Sequence, residues 1–194
     1  MHPYAIIIAP RWGGTLHDDW YPWLSNKLIE KLGERLDALE VVQYVEPNAP
    51  EIADLVLVIE QLVGRIEKKV NLVMVGHSVG CQAILQYLSR HHVHVKGLLL
   101  VAGWFTVDEG WPELEPWLNT ELDPGRIRKS CHDINVLLSD NDPYTADYKA
   151  TAEAFNHKLD ATVEIFSGAA HFNKAEQPEV WQALEGVLHE IDGG

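Results

Sequence analysis

The stretch Val70-Asn71-Leu72-Val73-Met74-Val75-Gly76-His77-Ser78-Val79-Gly80-Cys81-Gln82-Ala83-Ile84-Leu85 decides the fold. Its first six residues form a short apolar run of strand length, and Val79 to Ser89 is apolar on most faces at helical length. Between the two stands a G-x-S-x-G pentapeptide, Gly76 to Gly80. A serine on a tight strand-to-helix turn adopts a backbone strained by about 1 to 3 kcal/mol, and the residues two before and two after it must be too small to clash. Gly76 and Gly80 meet that demand. Such a turn exposes the Ser78 hydroxyl above the sheet, at a helix N-terminus whose dipole stabilises a developing oxyanion.

The same strand-then-helix rhythm recurs along the chain. Tyr4 to Ala9, Leu39 to Val45, Gly97 to Ala102, Ile134 to Leu138 and Thr162 to Phe166 are further apolar or β-branched runs of strand length. Asp18 and Asp19 are candidate N-caps for a helix with Trp20, Trp23, Leu24, Leu28, Leu32 and Leu36 on one face. Asn48 and Pro50 open a second, with a stripe through Ile52, Leu55, Ile59, Leu62, Val63 and Ile66. Thr145 to Leu159 and Glu179 to Ile191 supply two more. This alternation predicts an α/β chain: a three-layer α/β/α sandwich around a mostly parallel six-stranded sheet, one domain over 1–194. The exception is Gly103 to Ser130, a long connection carrying Trp104, Phe105, Trp111 and Trp117 with three prolines. Long structured connections often form lids or binding loops, and this one starts beyond the carboxyl end of a strand, where ligands sit in such folds.

Composition narrows the partners. The 194 residues carry 15 Lys+Arg against 29 Asp+Glu, a net charge of −14 that repels nucleic acid and anionic lipid, and 46% hydrophobic residues suffice for a substantial core. Cys81 and Cys131 have no zinc or CxxC spacing, and His91, His92 and His94 lack an acid or cysteine to complete a ligand set, so neither metal nor cofactor is expected. The apolar runs Leu55 to Ile59 and Leu98 to Ala102 are far shorter than the roughly 20 residues a membrane span needs. Met1-His2-Pro3-Tyr4 lacks a charged segment leading into a long apolar stretch, which with the cysteine usage suggests a cytoplasmic protein. Nothing in these features speaks to oligomeric state.

A serine nucleophile needs a histidine base oriented by a carboxylate, and beside a nucleophile elbow the chain order is Ser, then acid, then His. The loop Ser139-Asp140-Asn141-Asp142-Pro143-Tyr144 follows the fifth strand and makes Asp142 the candidate acid. Asp140 competes, because an Asp-Asn-Asp turn can use either carboxylate to cap its own backbone. Ser167-Gly168-Ala169-Ala170-His171-Phe172 follows the last strand, with small residues that permit close approach and His171 as candidate base. The oxyanion hole should combine the Val79 amide with one from Pro10-Arg11-Trp12-Gly13-Gly14. Trp12 is nominated, with Gly13 close behind. Arg11 would either attract a carboxylate-bearing substrate or be merely solvated. Trp104 and Phe105, with Trp111 and Trp117, are the candidate apolar walls for a substrate.

Gly76-His77-Ser78-Val79-Gly80, Asp142-Pro143-Tyr144 and His171-Phe172 together resemble the α/β-hydrolase superfamily, and more narrowly the small serine hydrolases similar to retinoblastoma-binding protein 9. Asp19-Trp20-Tyr21-Pro22-Trp23-Leu24 after a Gly-Gly loop, Pro116-Trp117, and a length near 190 residues without a large cap also look like that family. The resemblance implies a Ser78–His171–Asp142 triad that cleaves small acyl esters through an acyl-enzyme, without a cofactor. A small serine peptidase or thioesterase on the same triad is the alternative within enzymes, and a non-catalytic binding protein of the same fold the alternative outside them. The first loop departs from the family, with Arg11-Trp12 where relatives tend to carry smaller residues. No Leu-x-Cys-x-Glu motif is present, so a retinoblastoma-type partner does not carry over.

Overall fold

In the computed structural model, which describes residues 2–67, 69–107 and 112–193, strand β1 (Tyr4–Ala9) is buried along its whole length. Its period-two alternation divides the interior. Tyr4, Ile6 and Ile8 face a cluster built with helices α1 (Tyr21–Leu32) and α7 (Pro178–Gly193). Ala5, Ile7 and Ala9 face the opposite cluster, built largely from α2 (Ile52–Arg65), α3 (Val79–Arg90), α5 (Pro124–Ser130) and α6 (Tyr148–Leu159). The same split runs through β3 (Asn71–His77) and β4 (Gly97–Val101), so apolar residues on both faces of central strands explain their unbroken hydrophobic runs.

The sheet order is β2-β1-β3-β4-β5-β6, all parallel, with β2 at Leu36–Val41, β5 at Ile134–Ser139 and β6 at Thr162–Phe166. The expected three-layer sandwich is therefore the observed one. The chain leaves β1 toward one edge and returns to lay β3 on its other side. The crevice at the carboxyl ends of β1 and β3 is thus the switch point of the topology, where open α/β sheets bind ligands.

Five boundaries depart from the sequence reading. The second strand, expected at Leu39 to Val45, starts three residues earlier and ends four residues earlier, at Leu36–Val41. Its partner β1 ends at Ala9, before Pro10, so beyond Val42, whose amide still donates to the Ile8 carbonyl at 2.8 Å, the chain has no ladder to join. Helix α1 stops at Leu32 rather than Leu36, because Gly33 takes φ +51° and turns the chain toward β2. Asp18 and Asp19 do not cap that helix: Asp18 accepts from the Thr15 amide and hydroxyl, Asp19 pairs with Arg11, and Trp20 precedes the first turn. Asp147, not Thr145, opens α6 by accepting from the Ala150 amide at 3.0 Å, while α2 starts after Glu51.

The connection from Gly103 to Ser130 folds back onto the sheet as a turn at Pro112–Leu114, a short helix α4 (Glu115–Asn119) and α5. Trp104 and Trp117 are buried, the latter donating its ring N–H to the Pro50 carbonyl at 3.1 Å. Trp111 lies outside the described residues. Among those described, no helix is long and apolar enough to cross a membrane.

Candidate active site

Ser78 stands between β3 and α3 with φ +54° and ψ −118°, a positive-φ conformation that a side-chain-bearing residue adopts at a cost of about 1 to 3 kcal/mol. The neighbouring glycines permit it. A Cβ on Gly76 would sit 2.7 Å from the Cys81 Cα, and one on Gly80 would overlap the carbonyl of Ala9 at the end of β1. The Ser78 amide donates to the Val101 carbonyl at 2.9 Å, and the Ser78 carbonyl accepts from the Cys81 amide at 2.9 Å. Burial pushes the Cys81 thiol well above its ordinary range and keeps it protonated, so it is no rival nucleophile.

The loops after β5 and β6 are joined residue by residue. Asp140 accepts from the Gly168 amide at 2.9 Å, Asn141 from the Ala170 amide at 2.8 Å, and Asp142 Oδ2 meets His171 Nδ1 at 2.8 Å. Asp142 Oδ1 accepts from the Tyr144 amide at 2.9 Å. Geometry thereby separates the two carboxylates: Asp142 is 4% exposed and bonded to the histidine, whereas Asp140 lies at the surface, its carboxyl held below the usual range chiefly by the Gly168 amide. His171 is itself flanked by Ala170 at φ +50° and Phe172 at φ +53°.

Ser78 and His171 line one cavity of about 380 Å³, together with Arg11, Trp12, Val79, Trp104, Val107, Leu114, Tyr144 and Asn173. Val79 is the first residue of α3, where backbone amides have no acceptor within the helix. In the first loop the Gly13 amide donates to the Pro47 carbonyl at 2.7 Å and the Arg11 amide to the Tyr21 hydroxyl at 3.0 Å, so both point away from the cavity that Trp12 lines. Arg11 is neither merely solvated nor an uncompensated cation. Its guanidinium bonds Asp19 at 2.6 Å and the Trp12 carbonyl at 2.8 Å.

Of the candidate walls among the described residues, Trp104 lines this cavity, whereas Phe105 and Trp117 do not. Phe105 packs on Phe155 at 4.6 Å under the Lys158 ammonium and borders an adjoining cavity with Trp117. Sequence reasoning missed Tyr144, whose ring meets His171 edge-on at 4.7 Å, and Asn173. Both lie within two residues of a candidate triad member, the one signal that would have found them. Val107 and Leu114 carried no signal, because only the folded connection brings them to Ser78.

A sequence model of the Serine hydrolase family matches residues 6–190. The chain is 26% identical to the YdeN protein of Bacillus subtilis (strain 168) over 139 residues, 71% of this chain and 69% of that one. The crystal structure of the B. subtilis ydeN product superimposes with a TM-score of 0.81 at 20% identity, covering 96% of this chain and 99% of the other. Est1E from Butyrivibrio proteoclasticus superimposes with a TM-score of 0.73 at 12% identity, over 100% of this chain and 89% of that one. At such identities these structures speak to the fold alone, a compact α/β-hydrolase fold. A family match that spans nearly the whole chain, from β1 to α7, carries more: the protein belongs to the serine hydrolase family.

Proposed function

We propose that this serine hydrolase is a cofactor-free enzyme that cleaves small acyl esters through Ser78, His171 and Asp142. The observation that carries the reading is the 2.8 Å bond between His171 Nδ1 and Asp142 Oδ2, buried at the wall of the cavity that Ser78 lines. A carboxylate only accepts, so it fixes the proton on Nδ1 and leaves Nε2 to take the Ser78 proton as Oγ attacks the acyl carbonyl. Amides of Val79 and Trp12 hold the oxyanion, and protonated His171 then returns its proton to the leaving alcohol. Water, deprotonated by His171, releases the acid from Ser78. A space of about 380 Å³ is near the lower end for small-molecule sites and suits a short acyl group against Trp104, Val107 and Leu114.

In the same reading the 194 residues act as one cytoplasmic domain on small acyl substrates, not on nucleic acid or membrane. The narrower likeness to small serine hydrolases similar to retinoblastoma-binding protein 9 rests on the Asp19 to Leu24 and Pro116-Trp117 residues.

The test is reaction of the pure protein with a fluorophosphonate probe, with the adduct located by mass spectrometry. Labelling is expected on Ser78, absent in Ser78→Ala, and slowed by about 10²- to 10⁴-fold in His171→Ala. A folded wild-type protein that takes no label overturns the enzyme reading. Parallel assays on ester, thioester and peptide substrates decide between the esterase and its thioesterase and peptidase alternatives.

A further inference from the structure

His77, the residue before Ser78 in the pentapeptide, points away from the cavity and is fully buried. Its Nε2 lies 2.8 Å from the His171 carbonyl oxygen and its Nδ1 lies 2.7 Å from the Tyr21 hydroxyl. A carbonyl only accepts, so the ring proton sits on Nε2 and Nδ1 accepts from Tyr21. The Tyr21 oxygen in turn accepts from the Arg11 amide at 3.0 Å. One continuous chain of donors thus runs from the first loop, through α1 and the elbow, into the backbone of the candidate base. Next to it, the ring N–H of buried Trp20 donates to the Phe172 carbonyl at 2.7 Å. Two consecutive carbonyls of the histidine loop therefore each receive a buried ring N–H. They lie in the segment where Ala170 and Phe172, neither of them glycine, hold positive φ. Left-handed backbone at such residues persists only when the surroundings over-determine it.

We infer that Tyr21 and His77 are positioning residues: they hold the His171 backbone and the Arg11–Trp12 loop in register, so that base and oxyanion donor meet one substrate carbonyl. Neither touches substrate. The inference rests on the triad reading above and adds to it the residues that set its geometry. Burial, and after it the proximity of His171, keeps the His77 ring neutral, which preserves the single tautomer that the chain of bonds requires. A charged ring would donate at both nitrogens and leave the Tyr21 hydroxyl proton without its acceptor.

The experiment compares wild type, Tyr21→Phe, His77→Leu and His77→Gln by steady-state ester hydrolysis and by the rate of fluorophosphonate labelling, with thermal melts as the control for folding. Misplacement of a catalytic group by about 1 Å costs on the order of 10²-fold, so Tyr21→Phe and His77→Leu should lower kcat and labelling rate about 10- to 100-fold with KM little changed. His77→Gln, which retains an N–H for the His171 carbonyl, should recover much of that loss. The low-field proton resonance of His171 Nδ1–H should shift or broaden in Tyr21→Phe, a response that loss of stability alone does not produce. A wild type labelled at Ser78 beside a folded Tyr21→Phe of unchanged kcat, labelling rate and resonance overturns the inference and leaves the triad reading standing. A folded wild type without label overturns both. If His77→Leu does not fold, Tyr21→Phe decides alone.

Discussion

The loop after β3 and the loop after β6 solve the same problem by different means. Each holds a reactive side chain above the sheet with positive φ at residues other than glycine: Ser78 in the first, Ala170 and Phe172 around His171 in the second. The elbow is determined locally. Gly76 and Gly80 leave room for the turn against Cys81 and the Ala9 backbone, and α3 starts at the next residue, so the side chains whose absence permits the turn lie within two positions of Ser78. The histidine loop is held from a distance, by Asp140, Asn141 and Asp142 about 29 residues earlier, by His77 some 94 residues earlier and by Trp20 some 152 residues earlier. Strain stored at a functional site can therefore be supported either by what the neighbours lack or by what remote side chains donate.

That contrast yields predictions of decreasing size. Asp142→Asn keeps the side-chain shape but allows the wrong histidine tautomer, and kcat should fall about 10⁴-fold with KM little changed in ester hydrolysis. Gly80→Ala attacks the locally determined loop: its Cβ collides with the Ala9 backbone, and urea unfolding should show a loss of about 3 kcal/mol along with lost activity. Asn141→Ala attacks the remotely held loop by removing one acceptor shared by the Ser139 hydroxyl and the Ala170 amide. It should lower stability by about 1 to 2 kcal/mol and, unlike Gly80→Ala, leave the Ser78 turn intact in a crystal structure.

A further effect, comparable to that of Asn141→Ala, is in pH dependence. The His77 ring is held well below the ordinary histidine range, with His171, Tyr21 and the Arg11 guanidinium as its polar neighbours. Below about pH 6.5 the unfolded chain takes up a proton that the folded chain refuses, so stability falls as pH falls, by up to about 1.4 kcal/mol per unit from this group. Urea unfolding between pH 7 and pH 5 should accordingly show a shallower decline in His77→Gln than in wild type. Equal slopes would mean that the ring is not held neutral by the fold.

How much of this was legible follows the same division. The six strands, their parallel order of layers and the position of Ser78 were readable because hydrophobic period and glycine spacing act over a few residues. The choice of Asp142 over Asp140 was only a preference in sequence; the two lie two residues apart on one turn, and only the pairing of β5 with β6 brings His171 to one of them. Phe105 and Trp104 read alike as adjacent aromatics, yet one faces the Ser78 cavity and the other packs on Phe155. The early end of β2 depended on where β1 ends, which the residues of β2 do not reveal.

By itself, then, the sequence determined what short-range sterics and periodicity can determine: an α/β sheet, an elbow at Ser78, and the chain order of serine, acid and base. The tertiary structure decided which carboxylate meets the base, which aromatic lines the cavity, and how the strained His171 loop is held. Those outcomes depend on hydrogen bonds between residues tens to more than a hundred positions apart, and a donor buried at Trp20 or His77 has no acceptor until the sheet has formed.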